Sequence, residues 1–478
     1  MIKRRLYQTA ICGAAIRVLC IFSGLFISLG MRAQTADIQL TVAGLSGGKA
    51  RLMGSFADQR FLIDSAAVGP DGRAVFRRDS LYPQGLLYAL LPDNTSIPFM
   101  ASEDQQFALR TRQGALADAM EVDGSVDNEL LYQNLRFEND FQKGYQAAAQ
   151  ALKGMAPGAP GYDDLKRQAD ALLEARRRHL QSFVEEHPNT LFTHYKTAGQ
   201  NPELRDIRKP DGTPDERAQV ARYRAEFWDN VDFSDARLLR TPVIFNKLKR
   251  YIAELTPQHP DSLIAATDAL VQQVLDKPEY YQFFVNWIAL QYEPTKTTVM
   301  DGEAVYVHII KRYITHERAF WTTPAEISAL QRRADEMSAS LVGRPAPNVT
   351  APDPNGQLRS LLDLKAPYLV VFMFNPDCDH CIEETPRLIE FLNNRAERDV
   401  EVFGIALDTD DAAWKAFIRK MGIPWVNVFD PTNRAIYAKY YVDITPELYV
   451  LNPERIIIGK NLKASQIAEI IARDKARR

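Results

Sequence analysis

Two cysteines, Cys378 and Cys381, stand in a C-x-x-C arrangement shortly after a run of apolar residues, 370–374. The apolar run predicts a buried strand, and the residues after it favour a helix that begins near Cys378. Free N–H groups and the positive end of the helix dipole favour a thiolate at such a position. Cys381, about one helical turn later, could attack a mixed disulfide formed on Cys378. The spacing therefore predicts a nucleophilic thiol and a resolving thiol.

Two other interpretations of this pair are a structural disulfide and a metal site. A bond across so short a loop contributes about 2 kcal/mol by chain entropy, against about 5 kcal/mol for a loop of roughly 100 residues. A lone C-x-x-C lacks the second ligand pair of a zinc site, although His380 lies between the cysteines. Covalent haem needs C-x-x-C-H, and Ile382 occupies the last position. Redox chemistry is the favoured interpretation, and metal handling is the alternative.

The elements around the pair are those of an α/β domain. Gly343 and the two prolines that follow it mark a boundary. After it, the apolar run 368–374 predicts a strand buried on both faces. The alternation that follows predicts helices at 381–393, 412–421 and 464–475 and strands at 401–407, 447–451 and 455–458. The two last strands, joined by a short turn, form an antiparallel edge.

Residues 342–478 resemble a thioredoxin-fold domain of the TlpA/ResA type, a family of exported thiol–disulfide oxidoreductases. The family pattern C-x-x-C-x-x-E-x-P is present as Cys378, Cys381, Glu384 and Pro386. Thr445 and Pro446 match the loop whose proline is cis in thioredoxins and faces the active cysteines. The resemblance implies that Cys378 and Cys381 form a disulfide with each other during the reaction and exchange it with the substrate.

The resemblance also implies roles for three further residues. Glu384 would accept the proton of the buried thiol or tune its pKa. Its alternative role is that of an acid near the start of a helix, where it interacts with the helix dipole. Pro446 would be cis, and with Thr445 it would expose backbone groups that pair with an extended substrate strand. An ordinary trans turn is the alternative for this dipeptide.

Charged residues beside the cysteines act in opposite directions. A protonated His380 would favour the Cys378 thiolate and make the pair more oxidising. Asp377 and Asp379, which replace the aromatic residue and the proline common in the family, would raise the pKa of the thiol. A solvated loop histidine is the alternative interpretation of His380. The sequence therefore leaves open whether the protein oxidises or reduces its substrates.

The region before this domain divides into a strand-rich and a helical part. Residues 36–120 alternate apolar and polar positions and predict a small antiparallel β domain, with Asp71 and Gly72 as a hairpin signal. Residues 126–340 follow the helical period and predict an α-helical domain. Both resemble domains that accompany TlpA-type modules. The predicted fold class is thus multidomain α+β, with an N-terminal antiparallel β domain, a central α-helical domain and a C-terminal thioredoxin-like α/β domain.

The N-terminal segment has the layout of a secretory signal peptide. Three basic residues precede an apolar stretch, and Ala33 is a small residue at the expected cleavage region. Residues 1–33 would then be removed, and an uncleaved membrane anchor is the alternative. Removal takes away Cys12 and Cys20 and five basic residues, which leaves 53 basic against 61 acidic residues and a formal charge of −8. We therefore expect an exported protein of the periplasm or cell envelope.

Composition excludes several other classes of protein. The chain of 478 residues is 46% hydrophobic, which excludes disorder throughout, and its four cysteines exclude a disulfide-dense miniprotein. Its formal charge of −3 provides no electrostatic basis for nucleic-acid binding. The histidines outside the cysteine motif are scattered without metal-ligand spacing, so no metal site is predicted.

The sequence therefore predicts an exported thiol–disulfide oxidoreductase that uses its own Cys378–Cys381 disulfide and no other cofactor. Its partners would be protein thiols or disulfides and an upstream electron donor or acceptor, with membrane association only if the N-terminal segment is uncleaved. The alternative function is an envelope protein that binds a ligand or partner, with the thioredoxin-like module as an auxiliary redox or Cu(I)-handling element. A thiol peroxidase is disfavoured because its motif needs Thr or Ser where Asn375 stands.

Overall fold

The structure is a computed structural model that describes residues 35–294, 296–395, 398–432 and 439–478. The predicted signal peptide, residues 1–33, lies outside the described residues. The described chain forms two compact units, one ending at Leu255 and the other running from Thr256 to Arg478. The helical stretch predicted at 126–340 is therefore divided between the two units.

The first unit begins with strands that form two sheets. The strands are β1 (Ala36–Ala43), β2 (Lys49–Phe56), β3 (Gln59–Ala67), β4 (Arg73–Arg78), β5 (Gly85–Leu90), β6 (Ser96–Ala101), β7 (Gln106–Arg112) and β8 (Glu121–Asp123). One sheet has the order β4-β1-β7-β8, and the other has the order β3-β2-β5-β6. Alternate residues of β1 are buried, as the period-two pattern predicts.

Two details differ from the predicted antiparallel β domain. The neighbouring strands β1 and β7 pair in parallel, whereas the other pairs of these two sheets are antiparallel. The hairpin predicted at Asp71 and Gly72 is wrong, because β3 and β4 belong to different sheets. The turn itself forms, with Gly72 in the left-handed region at φ 77°. A turn sequence specifies the local reversal of the chain but not the sheet that the next strand joins.

Helices follow these sheets. The first unit contains α1 (Val126–Leu152), α2 (Tyr162–Glu186), α3 (Leu191–Ala198), α4 (Glu216–Ala225) and α5 (Pro242–Lys249), which runs into a π-helical turn, Arg250–Leu255. The second unit begins with α6 (Pro260–Gln272), α7 (Pro278–Gln291), α8 (Glu303–Tyr313) and α9 (Pro324–Ser338). Within the described residues, no helix is both long and apolar enough to cross a membrane.

The second unit ends in a mixed sheet flanked by helices, which is a thioredoxin-like arrangement. A short β9–β10 hairpin (Thr350–Pro352 and Leu358–Ser360) comes first. The sheet strands are β11 (Tyr368–Phe374), β12 (Val400–Ala406), β13 (Val426–Phe429), β14 (Glu447–Leu451) and β15 (Ile457–Gly459), and the helices are α10 (Asp379–Asn393), α11 (Asp411–Met421) and α12 (Ile467–Arg477). The sheet order is β13-β12-β11-β14-β15. The predicted multidomain α+β fold class is thus confirmed.

The central strand β11 is buried at every residue, so each face of the sheet has its own core. Phe372 and Phe374 belong to the core that also contains Cys381 and Leu448. Met373 belongs to the core on the other face. Because side chains alternate along β14, Leu448 points to the cysteine side, while Glu447 and Tyr449 belong to the opposite side.

Candidate active site

Cys378 lies at the junction of β11 and α10, as its position after the apolar run predicts. It is the N-cap residue of α10, with extended backbone angles, and Ile382 N donates to its carbonyl oxygen at 3.0 Å. The residue is partly exposed, so its sulfur lies at a helix start near the surface. This is the position in which helix N–H groups stabilise a thiolate.

Burial and hydrogen bonding act in opposite directions on the Cys378 thiol. Burial disfavours its ionisation, but hydrogen bonds from the Cys381 thiol and from the backbone N–H groups of Cys381 and His380 outweigh burial and lower the pKa of Cys378. Its Sγ also lies 3.2 Å from the carbonyl oxygen of Thr445. Cys378 therefore has the properties of an attacking thiol.

Cys381 has the complementary environment. Its side chain is fully buried, and burial raises the pKa of Cys381 to about 12. Asn375 N donates to its Sγ at 3.5 Å. Both cysteines are free thiols, so the structure shows the dithiol form of the pair. A thiol of this kind stays protonated until the neighbouring Cys378 sulfur becomes part of a mixed disulfide that it can attack.

Asn375 shapes the loop between the strand and the cysteines, and the sequence analysis did not identify this role. Its Oδ1 accepts from Asp377 N at 2.8 Å, and its Nδ2 donates to the Asp408 carbonyl oxygen at 3.2 Å. These bonds fix the backbone N–H that reaches Cys381. An Asn between a buried strand and a proline is a turn signal that could have indicated it.

The loop before β14 brings Thr445 and Pro446 to the cysteines. The peptide bond between them is cis, as the family resemblance implies. The preceding Ile444 is 55% exposed, although it is a large apolar residue. Arg333 on α9 contacts the same segment, since its Nε lies 2.6 Å from the Tyr441 hydroxyl and its Nη2 3.4 Å from Asp443.

Glu384 is buried on α10, three residues after Cys381. One carboxylate oxygen pairs with Arg387, and the other accepts from Ala464 N at 3.0 Å. The carboxylate is therefore held between its own helix and the segment that leads into α12. The role of Glu384 as the acceptor of the Cys381 proton stays a prediction.

The charged residues beside the cysteines lie at the surface. Asp377, Asp379 and His380 are all exposed, and Asp379 is the first residue of α10. The contribution of His380 to the Cys378 thiol in the structure is its backbone N–H. The predicted tuning by these three side chains stays a prediction.

One family model matches the domain that contains the two cysteines. Residues 342–460 match the AhpC/TSA family model. The C-terminal domain is thus a thioredoxin-like domain similar to the AhpC/TSA family. Residues 210–331 match a domain of unknown function, DUF5106, which spans helices of both units. No curated protein matches the chain.

Solved structures similar to the chain include three bacterial proteins. A thioredoxin-like protein from Bacteroides caccae is 18% identical over 57% of this chain and 99% of its own, with a TM-score of 0.46. A domain of a possible thiol-disulfide isomerase from Cytophaga hutchinsonii is 30% identical over 29% and 95%, with a TM-score of 0.27. The thioredoxin domain of a thiol-disulfide oxidoreductase from Bacteroides vulgatus is 24% identical over 28% and 96%, also with a TM-score of 0.27.

A second group of ionisable residues lies on the other face of the AhpC/TSA-type domain. Glu447 directly follows Pro446, and burial raises the pKa of Glu447 to about 8. Its Oε1 accepts from the Tyr449 hydroxyl at 2.9 Å. Lys460, 3% exposed, pairs with the buried Glu303 at the start of α8. We call Glu303, Glu447, Tyr449 and Lys460 the buried ionic cluster. The sequence analysis missed it, although Glu447 is a charged residue in an otherwise apolar strand.

Three of the histidines that the sequence analysis left without a metal role, His179, His194 and His308, lie against acids or aromatic rings. His194 lies 2.7 Å from Asp235, and His308 lies 2.7 Å from Asp268. The His179 ring stacks on a phenylalanine ring with centroids 3.9 Å apart. In the part of the chain that the structure describes, no three His, Cys, Asp or Glu side chains are grouped to hold a metal ion.

Proposed function

We propose that this protein is an exported thiol–disulfide oxidoreductase that exchanges disulfides with protein substrates through Cys378 and Cys381. The observation that carries this proposal is the contrast between the two thiols. Cys378 is partly exposed at a helix start with a lowered pKa, and Cys381 is buried directly behind it with a raised pKa. A nucleophile and a resolving thiol require this division of properties.

In the reductive direction, the Cys378 thiolate attacks one sulfur of a substrate disulfide. The substrate S–S bond breaks, a mixed disulfide forms, and the departing substrate thiolate takes up a proton. Cys381 then loses its proton and attacks the Cys378 sulfur, which releases the second substrate thiolate. Two electrons pass from the cysteine pair to the substrate, and a second dithiol must reduce the pair again. The same steps in reverse oxidise a substrate dithiol.

The loop at Thr445 and Pro446 would position the substrate chain. The Cys378 thiol donates to the Thr445 carbonyl oxygen, and ionisation of the thiol removes that donor. The carbonyl oxygen is then available to a substrate N–H, as in recognition of an extended strand. The exposed Ile444 would supply an apolar contact to the residue beside the substrate disulfide.

Glu384 would assist the loss of the Cys381 proton, with Arg387 and Ala464 N holding the carboxylate in place. Glu384→Gln should then raise the pH at which Cys381 reacts in the second step. Glu383→Gln, which alters the exposed neighbour on the same helix, is the matched control. An equal effect of both variants would assign Glu384 to helix stability instead.

We further propose export to the periplasm or cell envelope, on the basis of the basic and apolar residues in segment 1–33. Cell fractionation of the full chain and of a chain lacking this segment tests the proposal. The protein expressed with this segment should be recovered from the envelope or periplasm, and residues 1–33 should have been removed from it. Recovery of both forms from the cytoplasm would exclude export.

Insulin reduction by dithiothreitol tests the oxidoreductase function. The wild-type chain should accelerate the precipitation of the insulin B chain, and Cys378→Ser should reduce the rate to that of dithiothreitol alone. Circular dichroism must show that the variant keeps its thermal midpoint, since the residue is only partly buried. Unchanged acceleration by the variant would remove Cys378 from the reaction and with it the proposed function.

A further inference from the structure

A cavity of about 620 Å³ lies in the first unit, among the helices α2, α3 and α5. This volume is within the range of about 300–1,000 Å³ typical of small-molecule sites. Part of the lining is apolar and includes Leu173, Phe227 and Val243. The charged side chains among its lining residues are all basic: Arg176, Arg177, Lys196, Lys247 and Arg250.

Acids outside the cavity neutralise part of this charge. Glu138 accepts from Arg176 with both carboxylate oxygens, at 3.0 and 2.9 Å, and lies 3.7 Å from Lys196. Glu174 lies 3.4 Å from Arg177. These ion pairs are partly exposed to solvent. They provide an acidic partner for each cation on the α2 and α3 side of the cavity. They leave the α5 side to be considered separately.

On that side, Lys247 is 5% exposed and has no acidic partner among the described residues. Its Nζ donates to the Gln200 carbonyl oxygen at 3.2 Å and lies 4.2 Å from the centre of the Phe227 ring. An ammonium group has three N–H donors, and one carbonyl does not satisfy them. Burial, with a further contribution from Arg250, lowers the pKa of Lys247 to about 8. The Trp228 ring lies farther away, at 5.8 Å, so two ring faces and one carbonyl, with no carboxylate, stabilise this charge.

Arg250 adds a second cation to the same side. It begins the π-helical turn that follows α5. Turns of this kind are rare in proteins, and those that occur are often found at functional sites. Its guanidinium lies about as far from the Phe227 ring as from the Tyr223 ring, at 5.9 and 5.8 Å. The nearest acid pair, with Glu254, is long at 4.0 Å. A buried lysine without an acidic partner and a partly exposed arginine with a long acid pair thus lie near the same aromatic ring.

We infer that this cavity binds a small organic anion with an apolar body, its anionic group paired with Lys247 and Arg250. A bound anion would satisfy the remaining N–H donors of Lys247 and offset the repulsion between the two cations. The apolar body would lie against Phe227, Val243 and Leu173, where its removal from water favours binding. This inference concerns the first unit and does not depend on the proposed thiol chemistry.

Isothermal titration of the full chain tests the inference with three probes. Octanoate carries both an anionic group and an apolar body, 1-octanol has the body alone, and inorganic phosphate has the charge alone. Octanoate should bind saturably, and Lys247→Met should weaken its binding about tenfold or more. Lys249→Met, which removes an exposed cation two residues away on α5, should change the affinity less than about twofold.

Several results would overturn the inference. These are absence of saturable octanoate binding, equally tight binding of 1-octanol, binding of phosphate in place of octanoate, and an equal effect of the Lys247 and Lys249 variants. If Lys247→Met does not fold, Arg250→Gln provides the same comparison from a partly exposed position. Insulin reduction by each variant should match the wild type, which separates failure of this site from failure of the thiol pair.

Discussion

The two faces of the sheet in the thioredoxin-like domain carry ionisable groups with opposite behaviour. On one face, Cys378 reaches the surface at a helix start, and hydrogen-bond donors lower its pKa. On the other face, Glu447 and Lys460 of the buried ionic cluster are closed off from solvent, and burial raises the pKa of Glu447 to about 8. One face favours ionisation of a thiol, whereas the other disfavours ionisation of Glu447 beside the Lys460–Glu303 ion pair.

The two environments meet within three residues of chain. Thr445 accepts from the Cys378 thiol, and Glu447 begins the strand whose other residues line both cores. Exposure and N–H donors decide that the thiol ionises readily, while the neighbouring carboxyl resists ionisation although Lys460 favours its charge. A residue's distance in sequence from the loop that contacts Cys378 is therefore a poor guide to its chemical role. The face of the sheet on which its side chain lies is a better guide.

The largest expected effect separates Cys378 from Cys381, the two thiols on the cysteine side of the sheet. Cys381→Ser removes the resolving thiol, so Cys378 should attack a substrate disulfide once and remain bound to it. Incubation with a disulfide-containing protein, without added thiol, should give an adduct visible by non-reducing electrophoresis, and turnover should be lost. Cys378→Ser should give neither adduct nor turnover. Sustained turnover by Cys381→Ser would mean that another thiol resolves the intermediate.

The next effect concerns the buried ionic cluster. Lys460→Met leaves the Glu303 carboxylate buried without its cation, and breaking such a pair costs about 3–5 kcal/mol. Urea denaturation of the full chain should show this loss for Lys460→Met and almost none for Lys365→Met, which alters an exposed lysine of the same domain. The double variant with Glu303→Gln should recover part of the stability. A urea midpoint unchanged by Lys460→Met would show that the buried ionic cluster does not contribute to the stability of the domain.

Much of the thioredoxin-like domain could be predicted from the sequence because its signals are local. The continuous apolar run predicts a strand at 368–374, which is where β11 lies. The position of Cys378 at the helix start follows from the same local pattern. Partners across a sheet are not local, and this is why the parallel pairing of β1 with β7 and the separation of β3 from β4 were not foreseen.

The residues of the site could be predicted where the type of side chain determines the chemistry. They could not be predicted where a backbone group, or an ion pair between residues far apart in sequence, determines it. The cysteines and Pro446 are visible as letters in the sequence. Asn375 contributes a backbone N–H to Cys381, and every residue except proline has one. Glu303 and Lys460 meet only through the packing of α8 on the domain, since they lie far apart in the chain.

The pH dependence of stability sharpens the contrast between the faces. Because the folded-state pKa of Glu447 is raised from 4.5 to about 8, its contribution to stability is fully present below about pH 4.5 and is lost as the pH rises to 8. Glu447→Gln should therefore flatten the fall in thermal midpoint between pH 5 and pH 8. Lys460, Glu303, Asp443 and Tyr449 surround the group and remain in the variant. Identical pH profiles for variant and wild type would show that Glu447 does not titrate in this interval.

The smallest effect tests whether the proposed substrate-binding surface beside Cys378 includes Ile444. Its side chain is 55% exposed beside Thr445 and Pro446, and Arg333 holds the preceding segment through Tyr441 and Asp443. An apolar contact of this size with a substrate chain is worth about 1 kcal/mol, so Ile444→Ser should lower kcat/KM for a protein disulfide about fivefold.

A small aromatic disulfide has no peptide chain to lie along the loop beside Thr445 and Pro446, so its rate should be unchanged in Ile444→Ser. Leu358→Ser, which alters another exposed apolar residue of the domain on β10, should affect neither substrate. An equal loss on both substrates would indicate a disturbed cysteine pair, and no loss on either would confine substrate contact to the backbone of Thr445. The pattern expected here, a loss for the protein substrate alone, requires the substrate chain to lie along the loop that separates the two faces.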